Sequence, residues 1–524
     1  MPAVDDDWSR YESENFELYS DQSDRASRGI LEDLEILRAL FIKEMNVVER
    51  KRMQVTVYAF NRSSDYQAYT HHYKTKRTNT AGMYLRRPDR AVIMLRPMET
   101  RDSSRQVVFH EYVHHMFRAV DLDPPVWFNE GLADVLGGIK IGKKEVEIGH
   151  PMVGRLYPLQ NAKLLPLETL FRVTRDSRHY NTDEHAGLFY AQSFALLHYW
   201  KYGKSKISPE AVNRFIAVAG STEAMKGTNI QSLFEECFGM DYRAMEKQLS
   251  RYVRRGRYTY GKIPRPELPG PSTYAKSEVS KNQIRIRLAE LAVRTRGDAL
   301  GQLVLLEAGE AEDADPRIFE TLGADSMVRG DEENGLQYWR KAAELGSTNS
   351  TVLRELARAE WNKWFRNYVP TFKLPKEVAD DLRALLVASI RSEPVQDDAY
   401  EMLAWVEGFV EEPKPGNINA VQQRFKHMKR KARTLLALAM SRDRMDFRDE
   451  GISLLENISR FEPDEWTLRA AEATLADWLG KDASAVFLGD SDDGVRAGAK
   501  TLHESVISLP SVPVPDDLGE GGSA

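Results

Sequence analysis

Residues 106–116 read Gln106-Val107-Val108-Phe109-His110-Glu111-Tyr112-Val113-His114-His115-Met116, and residues 127–134 read Trp127-Phe128-Asn129-Glu130-Gly131-Leu132-Ala133-Asp134. Phe109, Val113 and Met116 recur at helical spacing, which predicts a helix with one buried side. Ser103, with Gln106 three residues on, predicts its start as a capping box, and Pro124-Pro125 predicts a break before a second short helix near Phe128. Residues four apart share one face of a helix, so His110 and His114 can turn imidazole nitrogens toward one ion. Glu111 lies about 100° round the helix. From there its carboxylate can reach a water on that ion without binding the ion itself. A catalytic zinc takes three protein ligands and keeps one position open. Glu130, sixteen residues beyond His114, is the natural third ligand. Asp134, one turn further, can accept the free N–H of a liganding imidazole and fix its tautomer. The pattern predicts one zinc per chain.

N-terminal to these helices, residues 1–105 read as mixed α/β. Helical periodicity runs from Ala26 to Met45, with Ile30, Leu34, Leu37 and Phe41 on one face. Residues 53–58 alternate like a strand, Met83-Tyr84-Leu85 offers a second, and the apolar run from Ala91 to Leu95 a third. From residue 103 onward the pattern is mostly helical, interrupted between Ile139 and Ile148, where Gly142-Lys143 can turn a hairpin. Pro264, Pro266, Pro269 and Pro271 predict a linker over 261–282. The fold class expected is therefore α+β: one domain over 1–260, divided near 105, then the linker and a helical region over 283–480. The stretch 508–524, rich in Pro, Gly and Asp, reads as a disordered tail.

The helical region repeats itself. Leu288-Ala289, Leu322-Gly323 and Leu356-Ala357 recur 34 residues apart, Ala308 and Ala342 share that interval, and Trp339 lies between. After an insertion around 362–380, Leu403-Ala404 and Leu438-Ala439 resume at 35, and Pro463 sits where such a unit ends. This register resembles tetratricopeptide repeats, and a plain array of helical hairpins fits it as well. Either is an α-solenoid, and its concave surface is expected to dock a protein partner.

The segment from His110 to His114, taken with Asn129-Glu130-Gly131-Leu132-Ala133-Asp134, resembles the gluzincin metallopeptidases, and most of all the peptidase MA-like proteins that join such a domain to helical repeats. Tyr190-Ala191-Gln192-Ser193-Phe194 resembles the helix that opens on the catalytic tyrosine of the aminopeptidase branch. The resemblance implies Tyr190 as a donor to the oxyanion. The competing reading places it among core aromatics with Phe189, Phe194 and Tyr199. The resemblance further implies that the strand at 91–95 lies at the sheet edge and pairs with an extended substrate; otherwise it is a buried strand. The spacing from His114 to Glu130 is a few residues shorter than in the thermolysin and aminopeptidase branches. The Gly-x-Met-x-Asn signature of aminopeptidases has no counterpart, so exopeptidase action has no support. The function implied is zinc-dependent hydrolysis of peptide bonds by an endopeptidase. The alternative is a scaffold whose metallopeptidase-like domain is inactive.

Other features are bland. His115, His185 and His198 have no ligand spacing and read as packing or surface residues. The basic runs 251–257 and 424–431 read as solvated helix faces in a chain of net charge −6, so no nucleic-acid partner is expected. A hydrophobic share of 42% with 29% charged residues is that of a globular protein. No apolar run is long enough to span a bilayer. Cys237, the sole cysteine, excludes an intrachain disulfide. The acidic start, Met1 to Trp8, does not read as a secretory leader. The chain as written would stay in the cytoplasm, or in the periplasm or outside the cell had a leader been trimmed, and the compartment is left open.

Overall fold

The computed structural model describes residues 2–480 apart from 71, 74–75, 78–81, 97–100, 153, 182, 204–206, 220–228, 366–368, 429–430 and 462. The side chains of 72–73, 76–77, 101–104, 181 and 183–186 are also outside the description. His185 and the expected tail at 508–524 therefore lie outside the described residues. The architecture is mixed α and β, dominated by helices, and divides into two compact units. Met1–Glu49 with Met53–Ala314 forms the first, and Arg50–Arg52 with the residues from Asp315 onward forms the second.

Strands of the first unit are β1 (Ser9–Glu12), β2 (Glu17–Ser20), β3 (Val55–Ala59), β4 (His72–Tyr73), β5 (Lys76–Arg77), β6 (Gly82–Arg86), β7 (Ala91–Leu95), β8 (Lys140–Ile141), β9 (Glu145–Ile148), β10 (Gly261–Pro264) and β11 (Ala275–Glu278). Six of them form one sheet in the order β11-β1-β2-β3-β7-β6. The pairs β2–β3 and β3–β7 are parallel, and the others are antiparallel. A parallel pair needs a crossover, and the helix Asp24–Met45 supplies it between β2 and β3. Ser23 caps that helix, Asn46 ends it in the left-handed conformation, and the predicted face of Ile30, Leu34, Leu37 and Phe41 is buried. β3 and β7 are buried along their whole length, which is why Ala91 to Leu95 is an unbroken apolar run rather than an alternating one.

Three expectations need correction. The strand at 91–95 is the buried strand of its two readings and not the sheet edge: β6 flanks it, with Gly82 opposite Leu95 and Arg86 opposite Ala91, so among the described residues β6 ends the sheet on that side. The helix bearing His110 runs Arg101–Ala119, so Ser103 lies inside it and cannot be its cap. The prolines at 264–271 do not make a free linker. β10 pairs with β9 and β11 pairs with β1, both antiparallel, and both extend sheets of the first unit. A proline is tolerated there because strand ends and edges leave N–H positions that no ladder bond needs.

The boundary moves for a related reason. The helices Lys281–Arg296 and Ala299–Ala308, expected to open the repeats, belong to the first unit. Ile284, Leu288, Leu291 and Ala292 cover one face of the main sheet against Tyr19, Tyr58, Phe60 and Tyr69. The division falls at Ala314–Asp315, not at 261–282. In the second unit the helices Pro316–Val328, Glu332–Glu344, Ser350–Trp364, Lys376–Ser392, Asp397–Gly408, Pro415–Phe425, Lys431–Arg444, Arg448–Glu456 and Glu465–Trp478 follow one another, and those from Pro316 to Glu456 each pack on the next. Leu356, Ala357, Leu403, Ala404, Leu438 and Ala439 are buried at their contacts. Gly323 lies so close to Trp339 that a Cβ there would overlap the indole. Among the described residues no helix is long and apolar enough to cross a membrane.

Candidate metal centre

The helix Arg101–Ala119 turns Phe109, Tyr112, Val113, Met116 and Phe117 into the core of the first unit. That anchors its axis and leaves His110 and His114 toward Glu130 of the helix Val126–Gly137, while β6 packs on the same first helix. Pro125 precedes the second helix, and glycines set its distance from its neighbours. A Cβ on Gly131 would meet the Ser193 carbonyl oxygen at 2.7 Å, and one on Gly137 would meet Met152 Sδ at 2.8 Å and the Gln106 carbonyl oxygen at 3.1 Å. Only glycine allows so close an approach.

Three donor atoms converge between the helices. His110 Nε2 lies 3.2 Å from His114 Nε2 and 3.2 Å from Glu130 Oε2, and His114 Nε2 lies 3.3 Å from the same oxygen. A tetrahedral zinc with bonds of about 2.0–2.1 Å has ligand–ligand edges of roughly 3.3–3.4 Å, so this triangle is the right size. Among the described residues these three form the one group of histidine, cysteine and acidic side chains able to hold an ion together. Two imidazoles and a carboxylate suit zinc chemically, and the residues present fit it.

The far side of each candidate ligand is held. His110 Nδ1 is 2.8 Å from Asp134 Oδ1, and Asp134 in turn accepts from Arg155 Nε at 2.5 Å and Nη2 at 3.0 Å. His114 Nδ1 is bonded to Asn129 Oδ1. Tyr180 donates its hydroxyl to Glu130 Oε1 at 3.0 Å, leaving Oε2 to the histidines. Hydrogen bonds of this kind fix ring tautomer and orientation. Burial opposes charge on His110, yet its bonds to Asp134 and Glu130 prevail and push its pKa up to about 10. Burial likewise works against the Glu130 carboxylate, and the hydrogen bonds to His110 and His114 overcome it, holding the group well below the ordinary range.

Tyr190 and Glu111 stand beside this group. The Tyr190 ring lies 5.8 Å from that of Tyr180 and 5.2 Å beneath the Arg155 guanidinium. Burial first, then the charge of Glu130, pushes its pKa up to about 12, and Glu111 contributes to the same field. Glu111 is half-buried and also acts on Tyr84 of β6. Tyr190 is partly buried and packs against the core that takes Phe189 and Phe194, while its ring also lies near Tyr180 and Arg155. His115 packs against Tyr112 and bonds Tyr84 through Nδ1 at 2.9 Å, and His198 bonds Tyr252 and the Gly149 carbonyl. Burial pushes both down to about 4, as befits neutral packing residues.

Sequence reasoning missed Arg155 and Tyr180, and saw in Asn129 only a neighbour of Glu130. A lone arginine and a lone tyrosine in irregular sequence offer no spacing to read. Asn129 alone could have been found, one position before Glu130 on the same helix. Comparisons with protein-family models, curated proteins and solved structures give no match.

Proposed function

We propose that the chain is a zinc-dependent endopeptidase of the gluzincin type, with an α-solenoid of helical hairpins as its second unit. The observation that supports this most is the triangle of His110, His114 and Glu130 donor atoms, each backed by its own hydrogen bond, with Glu111 and Tyr190 alongside. Zinc, when bound, supplies Lewis acidity that lowers the pKa of water and polarises a carbonyl oxygen. Glu111 takes the proton of the attacking water and returns it to the leaving nitrogen, a general-base role worth about 10²–10⁴ in rate. Tyr190 keeps its proton at neutral pH, because burial and Glu130 raise it to about 12. It can therefore donate to the developing oxyanion.

Substrate binding falls to β6. Among the described residues it has a strand neighbour on one side only, and it packs against the helix Arg101–Ala119. An extended peptide can add to it as a further strand.

Elemental analysis of the purified protein beside His110→Ala tests the site, and a peptide-library digest with wild type and Glu111→Gln tests the reaction. About one zinc per chain is expected, lost in His110→Ala but kept in Glu111→Gln, with cleavage in the wild type alone. Absence of zinc from wild type after reconstitution overturns the metal centre, and full cleavage by Glu111→Gln overturns the general base.

A further inference from the structure

The hydrogen-bond pattern of β6 decides which of its residues can take up a new strand. Arg87 N–H donates to the Arg90 carbonyl at 2.9 Å across the turn that joins β6 to β7. Bonded and non-bonded pairs alternate along an antiparallel ladder. Leu85–Val92 and Met83–Met94 are therefore bonded pairs, and Tyr84–Ile93 between them is not. β7 agrees from its other side. Ala91 N–H donates to the Gln54 carbonyl at 2.9 Å, and the Leu95 carbonyl accepts from Phe60 N–H at 3.0 Å, both turned away from β6. The N–H and C=O of Tyr84, at the middle of β6, thus point out of the sheet edge. Among the described residues no strand pairs with them.

The side chain of that same residue reaches the helix of the metal centre. Side chains alternate between the two faces of a strand. Met83 and Leu85 pack on the cluster of Tyr58 and Phe60, whereas Tyr84 packs on the core that holds Phe109 and Val113. Its hydroxyl oxygen lies 2.9 Å from His115 Nδ1. His115 is buried, and the Tyr112 ring stacks on it at 5.2 Å. It directly follows His114, one of the three candidate ligands.

We propose that Tyr84 is a positioning residue for the substrate. Its bond to His115 fixes the outward N–H and C=O, which pair with an extended peptide, at a set distance from the metal centre. The proposal rests on the endopeptidase reading above. A tether is useful because β6 is held in the sheet by one neighbour only. A misplacement of about 1 Å between a substrate and its catalytic groups can cost roughly a hundredfold in rate. The bond involves none of His110, His114 and Glu130, so zinc content should not depend on it.

Two measurements on the full chain with Tyr84→Phe test this, with fold and zinc content checked by circular dichroism and elemental analysis. The first needs no substrate. Hydrogen exchange of residues 82–86 in the metal-free protein, read by mass spectrometry, is expected to quicken about two- to tenfold, the worth of one hydrogen bond. The second takes a fluorogenic peptide that the wild type cleaves, and its singly N-methylated analogues. In the wild type one N-methyl group, at the residue whose N–H meets the Tyr84 carbonyl, should cut kcat/KM by about tenfold or more. In Tyr84→Phe the unmodified peptide should lose about two- to tenfold, and the penalty for that N-methyl group should shrink by the same factor. A purely structural loss lowers all the peptides alike. Unchanged exchange, or an N-methyl penalty equal in the two proteins, overturns the proposal. Quickened exchange with cleavage by neither protein overturns the endopeptidase reading instead, and the substrate role with it.

Discussion

His110 stands between two carboxylates, Asp134 on Nδ1 and Glu130 on Nε2, and that position fixes how the site answers to pH. In the metal-free protein the imidazole is raised to about 10, so at pH 7 it holds a proton that a metal must displace. Zinc uptake at pH 7 is therefore expected to release a proton from His110. Below about pH 10 the affinity should fall about tenfold per unit of acidification. Calorimetric titration in buffers of different ionisation enthalpy measures the proton count, and a buffer-independent enthalpy would contradict it. The same shift acts on folding. A histidine raised above its unfolded value, about 6.5, gives stability that is complete below that pH. The contribution fades as pH climbs through about 10. The metal-free protein is expected to melt at progressively lower temperature from pH 6.5 to 10. The zinc-loaded protein, whose His110 has already lost the proton, should lack this term.

At the scale of elements, the placement of Glu130 depends on how closely the helix Val126–Gly137 can lie against the helix Asp183–Tyr202. Gly131 decides that distance, since its missing Cβ would sit 2.7 Å from the Ser193 carbonyl oxygen and 2.9 Å from Leu197 Cδ1. Neither backbone can yield cheaply, because Ser193 and Leu197 are themselves buried. Gly131→Ala is expected to cost about 1–3 kcal/mol and to weaken zinc binding, because Glu130 moves with the strained turn. Thermal melts and a competitive chelator titration check both, and unchanged values would show that the helices separate without penalty. The helices of the site were legible in the sequence because a period of 3.6 with polar residues at fixed offsets is a local signal. The edge was not. Met83-Tyr84-Leu85 reads as a strand, but which strand lies outermost depends on partners far along the chain. The prolines at 264–271 misled for the same reason. Their local chemistry says linker, while long-range pairing with β9 and β1 makes the flanking residues strands. Leu288-Ala289 has the repeat register yet packs on the sheet, because a face of Tyr19, Tyr58 and Phe60 needed covering.

For the whole molecule the two units have separate cores, one around the sheet and the helices that carry His110 and Glu130, the other among the helices from Ser350 to Trp478. A ligand that binds only the folded state of one core stabilises that core alone. The proposed zinc ligands, His110, His114 and Glu130, all belong to the first unit, as do Asp134, Arg155 and Tyr180 behind them. Calorimetry of the full chain is therefore expected to show two transitions, of which zinc moves one. With free zinc at a thousandfold excess over its dissociation constant the gain is about 4 kcal/mol. For a unit of about 310 residues each kcal/mol shifts the melting temperature by roughly 1.5 °C, so the rise should be on the order of 6 °C. His110→Ala removes a donor without touching the second core, and it should abolish the rise while leaving the other transition in place. A single transition that zinc moves as a whole would mean that the two cores unfold together. The metal would then stabilise the helical unit as well as the site that holds it.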